Sequence, residues 1–125
     1  MGIEEIPEDN YLYRRVRPKD VDPTGSYPTE IAFMPGPKDN GELSVDWAEK
    51  STPEKSSYDI ISKRQFRLAK IRVSEPITIG LKVKYDPILK VTAIDPVLNP
   101  AHTLILGIGT LTIANMLSKK APLIV

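Results

Sequence analysis

The stretch that decides the fold is ELSVDWAEKSTPEKSSY, residues 42–58, in which a short alternating segment leads into the start of a helix. It is also the densest group of hydroxyls and carboxylates in the chain, and it contains the only tryptophan. The group consists of Ser44, Asp46, Ser51, Thr52, Glu54, Ser56 and Ser57. Such residues line many sites, but they are equally the ordinary caps of strands and helices. The stretch therefore predicts architecture and supplies candidates without identifying an activity.

Two overlapping cap signals predict where the helix begins. Pro53 suits the first helical position and makes Thr52 the N-cap, whereas Ser51 with Glu54 three residues later matches a capping box. Both predict a helix of about three turns that ends near Gln65 and covers the sheet with a narrow apolar stripe.

On both sides of this stretch, the periodicity of apolar residues predicts further strands and one more helix. The predicted strands are residues 11–16, 29–34, 67–73, 79–85, 88–94 and 102–106, and the second helix is residues 111–119. Asn40-Gly41 predicts a hairpin turn that pairs Ile31 and Phe33 near Leu43 and Val45. We therefore expect an α+β fold: one mixed, mainly antiparallel sheet of about five to seven strands with two helices. Residues 1–10 are expected to be a flexible N-terminus and residues 11–125 a single domain.

Composition excludes several classes of protein. The chain of 125 residues is 41% apolar and 26% charged, which argues against wholesale disorder. The absence of cysteine excludes disulfides, thiolate metal sites and thiol nucleophiles. The acidic start of the chain and the shortness of its longest apolar run, residues 103–117, predict a cytoplasmic protein without a membrane span. Twelve prolines, a single glutamine and no cysteine favour a thermophilic source, for which we expect a melting temperature above about 60 °C.

Charge is unevenly distributed along the chain. Residues 1–60 carry 13 acidic and 7 basic residues, whereas residues 61–125 carry 3 acidic and 10 basic residues. The difference indicates either a basic binding face or two halves with complementary surfaces. Alternation predicts five cations on one face of the sheet, namely Lys70, Arg72, Lys82, Lys84 and Lys90. The leading hypothesis is a non-enzymatic binding module that uses this face for a polyanion such as nucleic acid, or for an acidic protein partner.

His102 is the only histidine, which excludes histidine-rich metal sites, and no metal or cofactor is predicted. Its ring either holds a backbone carbonyl or serves a site. A serine hydrolase would need Ser44 or another serine beside it, and no Gly-x-Ser-x-Gly elbow is present. Arg14 either points inward with Leu12 and Val16, where it requires a carboxylate or a phosphate, or lies at the sheet edge and reaches water.

Three segments carry a resemblance: LYRRV (residues 12–16), AFMPGPKDNGELSV (residues 32–45) and DPVLNPAH (residues 95–102). They resemble a family of short prokaryotic proteins of uncharacterised activity, which implies one compact domain. More remotely, the chain is similar to small ADP-ribosyltransferase-like domains, including the RES type. That similarity implies an NAD-using enzyme or toxin in which Arg14 holds the dinucleotide phosphates, Ser44 orients the nicotinamide ribose and His102 or Glu54 assists. It is the alternative to the binding module, and the sequence leaves open whether the protein is an enzyme.

Overall fold

The computed structural model describes residues 5–36 and 41–125. The strands in chain order are β1 Tyr11–Val16, β2 Glu42–Trp47, β3 Tyr58–Asp59, β4 Arg64–Gln65, β5 Arg67–Arg72, β6 Lys82–Tyr85 and β7 His102–Leu106. The α-helices are α1 Pro53–Ser57, α2 Ser74–Thr78 and α3 Leu111–Ser118. Short 3₁₀ helices lie at Pro18–Asp20, Glu30–Phe33 and Ala48–Lys50.

Five strands form one sheet in the order β5-β1-β2-β7-β6, and every neighbouring pair is antiparallel. Strands β3 and β4 form a separate two-stranded hairpin. The expected α+β fold with a mainly antiparallel sheet is confirmed. Within the described residues the chain has three α-helices rather than two.

One face of the sheet is the hydrophobic core, because alternate residues of each strand point to the same side. Leu12 and Ile71 are opposite each other on β1 and β5, Leu43 is opposite Ile105 on β2 and β7, and all four are at most 1% exposed. Helix α3 and the 3₁₀ helix Glu30–Phe33 pack together over this face. The predicted inward register of residues 69, 71 and 73 is confirmed.

The strand predicted at residues 29–34 is wrong, because Glu30–Phe33 is a 3₁₀ helix. The buried residues there are the neighbours Ala32 and Phe33 rather than an alternating pair, and one turn of helix places neighbours against a core where a strand would not. The predicted pairing with β2 is also wrong, since β2 pairs with β1 and β7. The predicted Asn-Gly turn involves residues 38–40, which lie outside the described residues.

The helix of residues 53–57 begins as predicted but is much shorter. The hydroxyl of Thr52 accepts a hydrogen bond from the backbone N–H of Lys55, so Thr52 is the N-cap. Beyond the helix, the Asp59 carboxylate accepts from the Ile61 N–H and the Ser62 hydroxyl. This local turn competes with helical hydrogen bonding, and the chain reverses into the β3–β4 hairpin.

The other two corrections concern residues 74–94. The strand expected at 79–85 starts only at Lys82, because α2 occupies Ser74–Thr78. The strand expected at 88–94 is wrong: apart from one bridge between Ile88 and Asn99, the segment forms no ladder, and Leu89 is 69% exposed. The segment is part of the long loop between β6, the edge strand of the sheet, and β7.

The strand His102–Leu106 and the last helix are confirmed. Gly107 turns the chain out of β7 with φ +100°, and Thr110 caps α3 by accepting from the Ile113 N–H. The two glycines of this turn therefore precede a capped helix, in agreement with a tight strand-to-helix connection. Ala114 and Leu117 are buried as expected, but Leu111 is exposed.

Residues 122–125 lie along the outer edge of β5. The backbone N–H of Lys70 donates to the Pro122 carbonyl at 3.0 Å, and the Ile124 N–H donates to the Leu68 carbonyl at 2.9 Å. The backbone N–H of Leu68 in turn donates to the carbonyl of Val125 at 3.3 Å. The edge strand is therefore partly paired by this segment.

Candidate active site

Polar side chains from three adjacent strands meet on the face of the sheet opposite the core. Asp46 of β2 is directly opposite His102 of β7. Ser44 lies two residues along β2 and so points to the same side. Asp86 follows β6 and continues its ladder, because its backbone N–H donates to the His102 carbonyl at 2.9 Å. The sheet register thus brings a serine, a histidine and two aspartates together.

The hydrogen bonds of His102 determine where its ring proton lies. Nδ1 is 2.9 Å from the backbone carbonyl oxygen of Asp86 and 3.2 Å from its carboxylate Oδ2. Both oxygens only accept, so in the neutral ring Nδ1 carries the hydrogen and Nε2 carries the lone pair. Nε2 is 3.2 Å from Ser44 Oγ. The Ser44 hydroxyl therefore donates to Nε2.

Ser44, His102 and Asp86 thus lie in the order hydroxyl, imidazole and carboxylate, which is the arrangement of side chains found in serine hydrolases on unrelated folds. The Ser44 residue is exposed, so a substrate can reach its hydroxyl. The side chain of His102 is only 16% exposed and that of Asp86 is 47% exposed. The ring is thus held by both neighbours while the serine remains open.

Asp46 is the centre of a second network. Its Oδ2 accepts from the Ser56 hydroxyl at 2.7 Å and its Oδ1 accepts from the Asn99 side chain at 2.8 Å. Ser56 is in turn 2.7 Å from the hydroxyl of Ser51. The network connects β2 to the start of α1 and to the β6–β7 loop, so it fixes two walls of the site.

Arg14 occupies the gap where β1 and β2 part. Only Leu12 and Tyr13 of β1 pair with β2. Beyond them Arg14 Nε donates to the Ala32 carbonyl at 2.7 Å and Nη1 donates to the Ser44 carbonyl at 2.8 Å. By register Arg14 lies on the same side of β1 as the buried Leu12 and Val16, opposite Ala69 of β5, as the inward alternative predicts.

These groups line a cleft of about 630 Å³, which is within the usual size of a small-molecule site. Arg14, Ser44, Asp46 and His102 are in its wall. Arg15 and Arg17 add further positive charge; Arg17 is paired with the buried Asp20 at 2.7 Å. The cleft is therefore polar and rich in arginine.

Three of the four predicted catalytic candidates converge on this cleft, namely Arg14, Ser44 and His102. Glu54 lines a neighbouring groove instead. Sequence reasoning missed Asp86 and Asn99, which lie in loops and carry no local motif. Asp46 was in the opening cluster of hydroxyls and carboxylates, but nothing in its neighbours indicated that it would anchor the site.

The five predicted binding cations do not form one cluster. Lys70 and Arg72 lie on β5, and Lys82 and Lys84 lie on β6, at opposite edges of the sheet. The two pairs share a face by register but are separated by three strands, which is about 19 Å from edge to edge. Lys90 is exposed in the β6–β7 loop. The polyanion-binding hypothesis stays a prediction.

Among residues 5–36 and 41–125, no group of three or more histidines and carboxylates is arranged to hold a metal ion. In the same part of the chain, every helix is too short or too polar to cross a bilayer.

Comparison of the chain with protein-family models, with curated proteins and with solved structures gives no match.

Proposed function

We propose that the protein is a serine-dependent hydrolase or acyltransferase. Ser44 is its nucleophile, His102 its general base and Asp86 the carboxylate that orients the ring. The observation that supports this proposal is the contact of Ser44 Oγ with His102 Nε2, at 3.2 Å, while Nδ1 is hydrogen-bonded to the Asp86 backbone carbonyl at 2.9 Å and lies 3.2 Å from the Asp86 carboxylate. A base within hydrogen-bonding reach and itself oriented by a third group is what activates a serine.

The chemistry is as follows. Ser44 Oγ forms a bond to the acyl carbon of an ester while the bond from that carbon to the leaving oxygen breaks. His102 Nε2 takes the hydroxyl proton and delivers it to the leaving oxygen. Water then forms a bond to the acyl carbon and gives a proton to His102 Nε2, the bond between that carbon and Ser44 Oγ breaks, and His102 returns the proton to Oγ, which releases a carboxylic acid and restores the Ser44 hydroxyl. Arg14 donates to the backbone carbonyl of Ser44 and thereby helps to position the strand that carries the nucleophile.

The test is covalent labelling with an alkyl fluorophosphonate, followed by peptide mass spectrometry. We expect one adduct, on Ser44, and none in Ser44→Ala. His102→Gln should label about 10²-fold more slowly or worse, as expected for loss of a general base. Ser26→Ala is the matched control, because this exposed serine lies outside the cleft, and it should label like the unchanged protein. Equal labelling of Ser44→Ala and the unchanged protein would exclude Ser44 as nucleophile.

A second candidate is the NAD-using enzyme that the ADP-ribosyltransferase-like resemblance implies. Its support is that Arg14, Ser44 and His102 line one cleft, as that reading requires. Asp46 is an additional carboxylate in the same wall. NAD titration monitored through backbone amides separates the two candidates. Shifts confined to β1 and β2 favour NAD, whereas no shift at millimolar NAD, where binding is worth only about −4 kcal/mol, leaves the hydrolase.

A further inference from the structure

A second concave surface lies beside the cleft. This groove of about 860 Å³ lies between the β3–β4 hairpin and the β6–β7 loop, and the charged Lys50, Glu54 and Lys55 around the start of α1 also line it. Arg15, Asp46 and Asn99 line both the cleft and the groove, so the two are continuous. Whatever occupies the cleft can therefore extend into the groove without leaving the protein surface.

The groove has large aliphatic side chains on both walls. Ile60 and Ile61 at the hairpin tip are each 63% exposed, and Leu98 in the facing loop is 54% exposed. Val97 lies beside Leu98 and also lines the groove. Exposed aliphatic side chains that border the same groove from both sides indicate a binding surface. Single apolar side chains scattered over a surface would not.

The carboxylate of Asp46 lies between the cleft and the groove, and its hydrogen bonds lower the cost of placing an apolar chain beside it. Both carboxylate oxygens of Asp46 already accept hydrogen bonds, from Ser56 and from Asn99. The charge is thus solvated by protein donors, and covering it costs less than covering a bare carboxylate. Ser44 and Asp46 are two residues apart on β2, a span of about 7 Å. An acyl chain attached at Ser44 and longer than this span is long enough to reach past Asp46 to the groove.

We infer that the groove binds the apolar acyl chain of the substrate, so that the enzyme acts on esters of medium- or long-chain carboxylic acids. This inference rests on the proposed function, because Ser44 defines where the ester lies. The leaving group then occupies the polar, arginine-rich cleft. The substrate class is therefore an ester with an apolar acyl chain and a polar or anionic leaving group.

The first experiment compares hydrolysis of p-nitrophenyl acetate, butyrate and octanoate. We expect kcat/KM to increase at least about tenfold from acetate to octanoate, since each buried methylene adds discrimination. Ile60→Ser and Leu98→Ser should remove most of that increase. Ile94→Ser is the matched control. Ile94 is 89% exposed in the same loop but does not line the groove, so its chain-length preference should stay as in the unchanged protein.

A second experiment does not depend on catalysis. Decanoate is titrated into the protein while backbone amides are observed, and we expect shifts at residues 60, 61, 97 and 98 that Ile60→Ser abolishes. Ester hydrolysis without chain-length preference, together with no decanoate shifts, would overturn the inference and leave the proposed function standing. Decanoate shifts without hydrolysis of any ester would overturn the proposed function alone. A dimer that Ile60→Ser dissociates in sedimentation would show that a second copy occupies the groove, which also overturns the inference.

Discussion

Arg14 donates a hydrogen bond of 2.8 Å to the carbonyl oxygen of Ser44, across the point where β1 and β2 part. A second bond, to the carbonyl of Ala32, connects the same side chain to the 3₁₀ helix Glu30–Phe33. One guanidinium therefore joins two strands and the segment that covers the core. The candidate nucleophile is positioned by a residue that need not take part in the chemistry.

Arg14→Met should lower the free energy of unfolding by about 1–3 kcal/mol, because two partly buried carbonyls lose their donor. Urea unfolding monitored by circular dichroism measures the change. Arg64→Met is the control: Arg64 is exposed on the hairpin, and its replacement should change stability by less than about 0.5 kcal/mol. Equal stability of the two variants would contradict a structural role for Arg14.

Asp46→Asn should also destabilise the protein, by about 1–3 kcal/mol. An amide has one acceptor oxygen, so it cannot accept from both Ser56 and Asn99, and its NH₂ faces a donor. Hydrogen exchange should accelerate at residues 51–57 and in the β6–β7 loop. Asp95→Asn is the control, because it removes another carboxylate of the β6–β7 loop. We expect this variant to leave hydrogen exchange unchanged at residues 51–57 and in the loop.

The pKa of Asp59 lies below its usual range, chiefly because the carboxylate accepts a hydrogen bond from the Ser62 hydroxyl. A lowered pKa in the folded state means that ionised Asp59 stabilises the hairpin at neutral pH, and that this contribution is lost as pH falls through the folded pKa. Ser62→Ala should raise the pKa of Asp59 toward its ordinary value in an NMR titration. The pKa of Asp22, lowered mainly by Thr24, is the internal control and should not move.

Lys63 has φ +57°, in the left-handed region that costs a side chain energy. Lys63→Gly should therefore stabilise the protein by about 0.5–1 kcal/mol, despite the extra freedom of glycine in the unfolded chain. Arg64→Gly, one residue further in an extended strand, should destabilise it by roughly the same amount. Thermal unfolding of the pair distinguishes relief of strain from a general effect of glycine in the hairpin.

The polyanion hypothesis predicts that generic RNA binds at low salt and that binding weakens steeply between about 50 and 200 mM salt. Because the cations lie at opposite edges of the sheet, Lys70→Ala with Arg72→Ala and Lys82→Ala with Lys84→Ala should have independent, additive effects on affinity. Fluorescence anisotropy with labelled RNA measures both. Absence of binding at low salt would remove nucleic acid as a partner.

Local sequence patterns correctly predicted those features of the fold that depend only on residues close together in the sequence. Ile71 and Val73 alternate with cations and are buried, and Thr52 followed by Pro53 correctly identified the start of α1. The early end of α1 was not predicted, because the apolar pattern continues beyond Ser57, whereas the Asp59 carboxylate accepts local hydrogen bonds from the Ile61 N–H and the Ser62 hydroxyl and turns the chain there. The apolar content of residues 29–34 and of residues 88–94 was equally ambiguous, since whether such a segment becomes a strand depends on which partner strand is available.

The side chains of the candidate site are brought together almost wholly by the register of the sheet. Ser44 and His102 are 58 residues apart in sequence, and their contact exists because β2 pairs with β7 so that Asp46 is opposite His102. Asp86 reaches the ring only because β6 adds to the far side of β7. No short motif encodes such a pairing, which is why the sequence could name Ser44 and His102 as candidates but could not join them through Asp86.

The segment of residues 122–125 that pairs with β5 also bears on self-association of the protein. An open strand edge is a template on which another chain can add a strand, and this is a common start of ordered aggregation. Here the backbone groups of Leu68 and Lys70 are already engaged by Pro122, Ile124 and Val125. Deleting residues 122–125 would leave these backbone groups without partners and open the edge of β5 to pairing with another chain. The hydrophobic core would lose residues only at its margin.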